Sequence, residues 1–258
     1  MRLSLLKRLD RWLAPAPDPR RIGWLKAAQF AHRGLHSPGV PENTPSAFAA
    51  AVAQGLGIEC DVQITQDHQA VVFHDYDLDR LTNARGPIAQ RSAADLHRVV
   101  LSGSTDTIPT LAQMLDQVAG RVPLLIEIKS HRGSPIAALC RAVDQALSNY
   151  TGPHAVMSFD PRICRWFAAQ APQTPRGLVM TEEHDSGLIG GLRRHLWLWI
   201  ARPDFLAYDI RDLPSRFAAA QRQRGLPLAT WTVRSSVLRE RALAHADAPI
   251  AEEAGVAR

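Results

Sequence analysis

Past residue 28 short apolar runs alternate with longer segments whose apolar residues recur every three to four positions. The runs predict strands at 29–33, 57–65, 70–74, 122–129, 154–159, 176–180, 205–210, 227–233 and 249–252. The periodic segments predict helices at 44–54, 110–119, 135–148, 161–170, 186–200, 214–224 and 235–245. Such alternation implies a parallel sheet. About eight strand–helix units in one chain predict an α/β fold of the (β/α)8 TIM-barrel type, with an open doubly wound sheet as the alternative. No Gly-rich dinucleotide or phosphate loop follows the first strand, which removes the usual reason for the open sheet. No linker interrupts the pattern, so 29–258 reads as one barrel domain and 1–28 as a helix and linker before it.

The opening "MRLSLLKRLDRWLAPAP" sets apolar residues at 3, 5, 6, 9, 12 and 13 among Arg2, Lys7, Arg8 and Arg11. This predicts a basic amphipathic helix. It lacks the continuous apolar stretch and cleavage site of a secretory leader. Nowhere does the chain approach the length of apolar sequence that crosses a bilayer. Such a helix either makes peripheral contact with an anionic membrane or covers one end of the domain, the commoner fate. The last strand, "PIAEE", is followed by too few residues for a helix of ~10 or more. A short or absent eighth helix is therefore expected, with residues 3–13 packing in its place. The segment around Trp197, Trp199 and Ile200 reads as core.

Composition narrows the classes. With 46% hydrophobic and 21% charged residues in 258, the chain is ordinary globular protein. Cys60, Cys140 and Cys164 show no metal or redox spacing, which suits a reducing, cytoplasmic setting. The net charge of +5 comes from basic residues spread along the chain. That pattern argues against nucleic acid and for a phosphate-bearing small molecule or a membrane surface.

On a strand, Glu59 and Asp61 of "IECDV" share one face while Cys60 takes the other. Glu127 and Lys129 of "LLIEIKS" do the same opposite Ile126 and Ile128. Unpaired buried charges are costly, so these groups belong at the C-terminal mouth of a barrel, paired or around a cation. The three carboxylates are hard oxygen donors suited to Ca²⁺ or Mg²⁺. The competing reading is a structural ion-pair network with Lys129 and Arg33. The strand-end histidines His32 and His74 favour a reactive site, since two imidazoles can take a proton from a nucleophile and return one to a leaving group. Arg33 offers a planar fork for phosphate oxygens. The set describes phosphoryl-ester cleavage; metal-assisted aldol or isomerase chemistry would need the second histidine less. Around it, Glu252 and His36 read as solvated, Ser158 as a minor substrate contact, and Asp75 as pointing away from His74.

The motifs "AHRG", "PENTPSAF", "IECDVQITQD", "VVFHDYDLDRLT", "IPTL", "LIEIK" and "TWTV", in this order, resemble the glycerophosphodiester phosphodiesterase family from about residue 30 to 233. The resemblance implies a (β/α)8 barrel that hydrolyses glycerophosphodiesters to glycerol 3-phosphate and an alcohol with a divalent cation, Ca²⁺ or Mg²⁺. It implies His32 and His74 as the acid/base pair, Glu59, Asp61 and Glu127 as metal ligands, and Arg33 and Lys129 as phosphate contacts. Asn43 would lie near the metal or phosphate, and Trp231 would line the substrate end of its strand. The chain departs from the family's pattern at Arg234, where asparagine is common, and in its final strand, which leaves the alcohol open. Two other functions compete: a lysophospholipase D-like activity on lysophospholipids, and a non-catalytic barrel that binds a phosphorylated ligand or a membrane.

Overall fold

The structure, a computed structural model, describes residues 2–183 and 187–256. The chain opens with α1 (Arg2–Leu13) and α2 (Pro19–Ile22). There follow β1 (Phe30–Ala31), α3 (Pro45–Ala53), β2 (Gly57–Ile64), β3 (Ala70–Val72), α4 (Ala93–Leu96), α5 (Leu111–Val118), β4 (Leu124–Ile128) and α6 (Ile136–Leu147). The remainder is β5 (His154–Ser158), α7 (Pro161–Gln170), β6 (Arg176–Met180), α8 (Gly187–Ala201), β7 (Phe205–Asp209), α9 (Arg216–Gln223), β8 (Leu228–Val233), α10 (Ser236–His245) and β9 (Ala248–Ala251). Every strand and helix expected from periodicity is present. Residue 186, the expected start of α8, lies outside the described residues. Two compact units divide the chain, residues 30–154 and residues 1–29 with 155–258.

The unit of residues 30–154 is organised by β2, buried along its whole length. β2 pairs in parallel with β1, Phe30 opposite Gly57, and with β4, Asp61 opposite Glu127. Gly57 is required by close approach: a Cβ there would come within 2.6 Å of the Phe30 ring. The parallel pattern expected throughout fails at β3, which returns antiparallel to β2 with Val62 opposite Val72. The reason is length, since residues 65–69 allow a hairpin but not a crossover. Beyond β3 the chain makes a long excursion with a core of its own, built from Val71, Phe73, Leu78, Ile88, Leu96, Leu101 and Ile108. Thr110 then starts α5 with a capping box to Gln113, satisfying amides that the first turn leaves unpaired.

In the other unit β5 to β9 pair in parallel in chain order. α1 does not take the place of a missing eighth helix as expected; it packs against α8. The cause is Asp10, a buried carboxylate in need of donors. It accepts from Nε1 of Trp199 at 2.8 Å and Nε2 of Gln221 at 2.8 Å, and Nδ1 of His195 lies 2.7 Å away. The segment after α1 is tied down too, because Arg21 reaches Asp204 and the carbonyls of Pro172 and Thr174.

Two sequence readings change in this unit. The α8 segment is not simply core: Gly190, Arg194, Leu198 and Ala201 face inward, Trp197, Trp199 and Ile200 are half-buried, and Leu188, Ile189, Leu192 and Leu196 are exposed. Glu252 is not solvated; its side chain is 10% exposed and paired with Arg234, the residue that departs from the family pattern. Among the described residues no helix is long and apolar enough to cross a membrane.

Candidate active site

The predicted residues Glu59, Asp61, Glu127, Lys129, His32, Arg33, Asn43 and His74 all belong to the unit of residues 30–154. Their placement starts with strand periodicity. Glu59 and Asp61 project from one face of β2, Glu127 joins them from the register partner of Asp61 on β4, and Lys129 follows one step past the strand. Carboxylate oxygens of Glu59, Asp61 and Glu127 lie within 4.8 Å of one another.

This crowding has an electrostatic signature. Burial pushes the Glu59 carboxyl well above its usual range, and Asp61 and Glu127 push it further. Burial also raises Glu127, against the pull of Lys129. Asp61 goes the other way: burial would raise it, but Lys129, Arg33, His74 and His32 together hold it below its ordinary value. The Lys129 ammonium lies 3.1 Å from Glu127 and 3.5 Å from Asp61, and these neighbours outweigh burial to raise its pKa. The ion-pair network weighed from sequence is thus formed, yet it leaves more buried negative charge than it neutralises at Glu59. A hard cation at this trio would relieve the repulsion, so the donor set fits Ca²⁺ or Mg²⁺.

Arg33 and Gly34 turn the chain out of β1. Arg33 has φ 57°, its amide donates to Glu59 Oε2 at 3.0 Å, and its guanidinium donates to Glu42 at 2.7 Å. Nε of Arg33 is buried 3.3 Å from Asp61 Oδ2 without a hydrogen bond, a donor left over beside the carboxylates. Gly34, at φ +79°, donates to the carbonyls of Ala31 and Glu59; a Cβ on it would meet Ala47 at 2.9 Å. Asn43 grips Asp61 twice, donating to Oδ2 at 3.0 Å and accepting the Asp61 amide at 3.3 Å. It therefore orients a carboxylate. Thr44 beside it caps α3, with Pro45 at the first helical position.

His32 is buried with Nε2 3.9 Å from Glu59. His74 is held by residues that sequence reading missed. Gln63, next on the same face of β2, donates to the carbonyls of Phe73 and Asp75 and so fixes the peptides on either side of His74. Asp75 does not point away from His74 as expected: its Oδ1 lies 2.6 Å from His74 Nδ1. Arg80 binds Asp75 through Nε at 2.5 Å and reaches Glu42 at 2.7 Å, joining the His74 and Arg33 supports. Hydrogen bonds from Arg80 pull the Asp75 pKa down to about 2. Burial pulls the His74 imidazole below its ordinary value despite Asp61. The signal for Arg80 was present in "HDYDLDR", an arginine on a turn five residues past Asp75, but nothing in the pattern showed that the turn folds back.

Trp231 lies in the other unit, on β8, where its indole donates to the Ala207 carbonyl at 3.1 Å and meets Phe159 edge to face at 5.4 Å. Ser158 accepts the amide of Asp160 at 3.1 Å.

Comparison with known proteins bears on both fold and family. A phosphodiesterase structure from Oleispira antarctica, in complex with the product sn-glycerol-3-phosphate, superposes with a TM-score of 0.77 at 22% identity, covering 90% of this chain and 94% of that one. A glycerophosphodiester phosphodiesterase structure from Thermotoga maritima gives 0.70 at 24% identity, covering 87% and 94%. These likenesses establish the (β/α)8 TIM-barrel fold class. A curated relative from Bacillus altitudinis, named glycerophosphodiester phosphodiesterase, is 39% identical over 107 residues, covering 39% of this chain and 43% of its own length. The first curated relatives are matched over 64%, 43% and 46% of their length. The sequence profile described as the glycerophosphoryl diester phosphodiesterase family matches residues 32–257, nearly the whole chain, and the chain therefore belongs to that family.

Proposed function

We propose that this protein hydrolyses glycerophosphodiesters to glycerol 3-phosphate and an alcohol with the help of a divalent cation. The observation that carries the reading is the buried trio Glu59, Asp61 and Glu127, whose central carboxylate feels both His32 and His74. The names of the Bacillus altitudinis and Thermotoga maritima relatives and the product in the Oleispira antarctica structure support the choice of substrate.

Glu59, Asp61 and Glu127 would hold Ca²⁺ or Mg²⁺, which when bound supplies positive charge and polarisation at a phosphate oxygen. The remaining work falls to side chains. Arg33 and Lys129, already poised against Asp61, offer donors for the other phosphate oxygens. Ionised Asp75 keeps a proton on Nδ1 of His74, and the lowered pKa leaves that imidazole neutral near pH 7. Its Nε2 lone pair is then the base for the attacking hydroxyl or water. His32 is left to protonate the departing alkoxide; where the substrate's own hydroxyl attacks, a cyclic phosphate forms as the alcohol leaves, and water opens it in a second step in which His32 takes the proton of water and His74 returns its proton to the leaving hydroxyl.

The test is release of glycerol 3-phosphate from glycerophosphocholine and glycerophosphoethanolamine after EDTA treatment, and again with added Ca²⁺ or Mg²⁺. Metal-restored release that disappears in Glu59→Ala is expected. No release with any divalent cation overturns the proposal.

A further inference from the structure

We propose that the outward stripe of α8, together with Leu5 and Trp12 of α1, is a docking surface for an anionic lipid bilayer. None of these residues belongs to the proposed hydrolytic set. Leu188, Leu192 and Leu196 recur at helical spacing on one flank of α8, with Ile189 beside them. Leu188 and Ile189 are 87% and 82% exposed, and Leu192 and Leu196 at least half so. The inner residues of α8 are satisfied separately: Leu198 is buried, and Arg194 is buried 3.4 Å from Glu182. The outer stripe is therefore not the edge of a core but apolar surface left in water.

α1 packs beside α8, against His195 and Trp199 on the same flank as Leu188 and Leu192. Its own inner face is occupied as well, with Asp10 buried in its three contacts and Ala14 buried. Leu5 and Trp12 remain outside, 60% and 78% exposed. They are seven residues apart, about two turns along the same face, and Arg8 lies between them.

Charge decides the occupant. Lys7, Arg8 and Arg11 are exposed on α1, and Arg193 is exposed on α8. The single acid of α1 is Asp10, which is buried, and described α8 has none. Two copies meeting through this surface would bring the same cations together, which is unfavourable. A bilayer with anionic headgroups takes the apolar side chains into its interface and pairs the cations with phosphates. Trp12 has the amphipathic ring suited to that depth. The combination is that of an interfacial helix pair, reversibly bound and dependent on lipid charge.

The experiment is sedimentation of the full chain with phosphatidylcholine vesicles with and without phosphatidylglycerol, at low and high salt. Binding to the phosphatidylglycerol vesicles alone, weakened by salt, is expected. Leu188→Ser with Leu192→Ser should reduce the partition about tenfold or more, from lost apolar burial. Lys7→Gln and Arg11→Gln should each reduce it about fivefold. Both sets should keep the wild-type melting temperature and turnover of soluble glycerophosphocholine, since neither touches the hydrolytic site. Absence of binding to anionic vesicles overturns the proposal. So does equal binding by the variants, or a stable dimer in sedimentation equilibrium that the leucine substitutions dissociate.

Discussion

Oδ1 of Asp75 lies 2.6 Å from Nδ1 of His74, and Arg80 spans both oxygens of that carboxylate, at 2.5 and 3.0 Å. The pairing fixes the imidazole tautomer, with the proton on Nδ1 and the lone pair on Nε2. Asp75→Ala should lower kcat about a hundredfold with little change in KM, because the proposed base His74 loses its orientation and not its substrate. Arg80→Ala should cost about tenfold, as an outer support. Steady-state kinetics, with the His74 nitrogen shifts as a tautomer readout, check both. A KM effect with kcat unchanged would show a substrate contact instead.

Glu59 and Glu127 have raised pKa values in the folded chain. A carboxyl that binds its proton more tightly when folded loses stability for the fold as pH rises above its unfolded value of about 4.3. Without metal, stability should therefore fall as pH climbs from that point. Ca²⁺ or Mg²⁺ should raise Tm more at about pH 8 than at about pH 5, and its binding should release protons. Thermal melts with and without EDTA, and calorimetry in buffers of different ionisation enthalpy, measure these effects. A cation shift independent of pH would contradict the assigned ligands.

Asp10 is displaced oppositely: burial would raise it, but hydrogen bonds from His195, Gln221 and Trp199 hold it below its usual value. A depressed carboxyl contributes stability that is present above its unfolded pKa and lost as pH falls through the folded one. Asp10→Asn should thus cost about 1–3 kcal/mol at neutral pH, by weakening bonds to buried donors. The gap from wild type should narrow below about pH 4. Urea denaturation over that range is the measurement.

Gly34→Ala should be severe for so small a change. The residue has φ +79°, and a methyl would press on Ala47 and the Phe48 ring at 2.9–3.0 Å. Strain and contact together should cost about 1–3 kcal/mol. Because the same turn presents Arg33 and His32, activity at a temperature where the variant is folded should fall as well. Wild-type turnover in a destabilised variant would separate the turn from the chemistry.

What could be read in the sequence followed periodicity. Alternation on β2 and β4 alone puts Glu59, Asp61, Glu127 and Lys129 on shared faces, and the strand-end position of His32 follows from its apolar run. Residues 75–109 resisted because their core is assembled from isolated apolar side chains on turns and single bridges such as Asp77 with Pro87 and Thr82 with Leu101. No regular period marks such a segment, so the Asp75–Arg80–Glu42 support was invisible. The direction of β3 was implicit in its short connection. α1 was legible as amphipathic, but its seat depended on one buried acid, whose partners at 195, 199 and 221 lie far away in sequence.

Three consecutive same-face positions of β2, Glu59, Asp61 and Gln63, hold two of the proposed cation donors and the anchor of the His74 loop, while the Glu59 and Asp61 carbonyls accept from Gly34 and Phe73. The working groups are therefore bound into one cooperative unit of backbone. Amide exchange along this strand should proceed only through the largest opening of residues 30–154. Function would then be lost in a single step with that opening, and no partly unravelled form would retain a fraction of it.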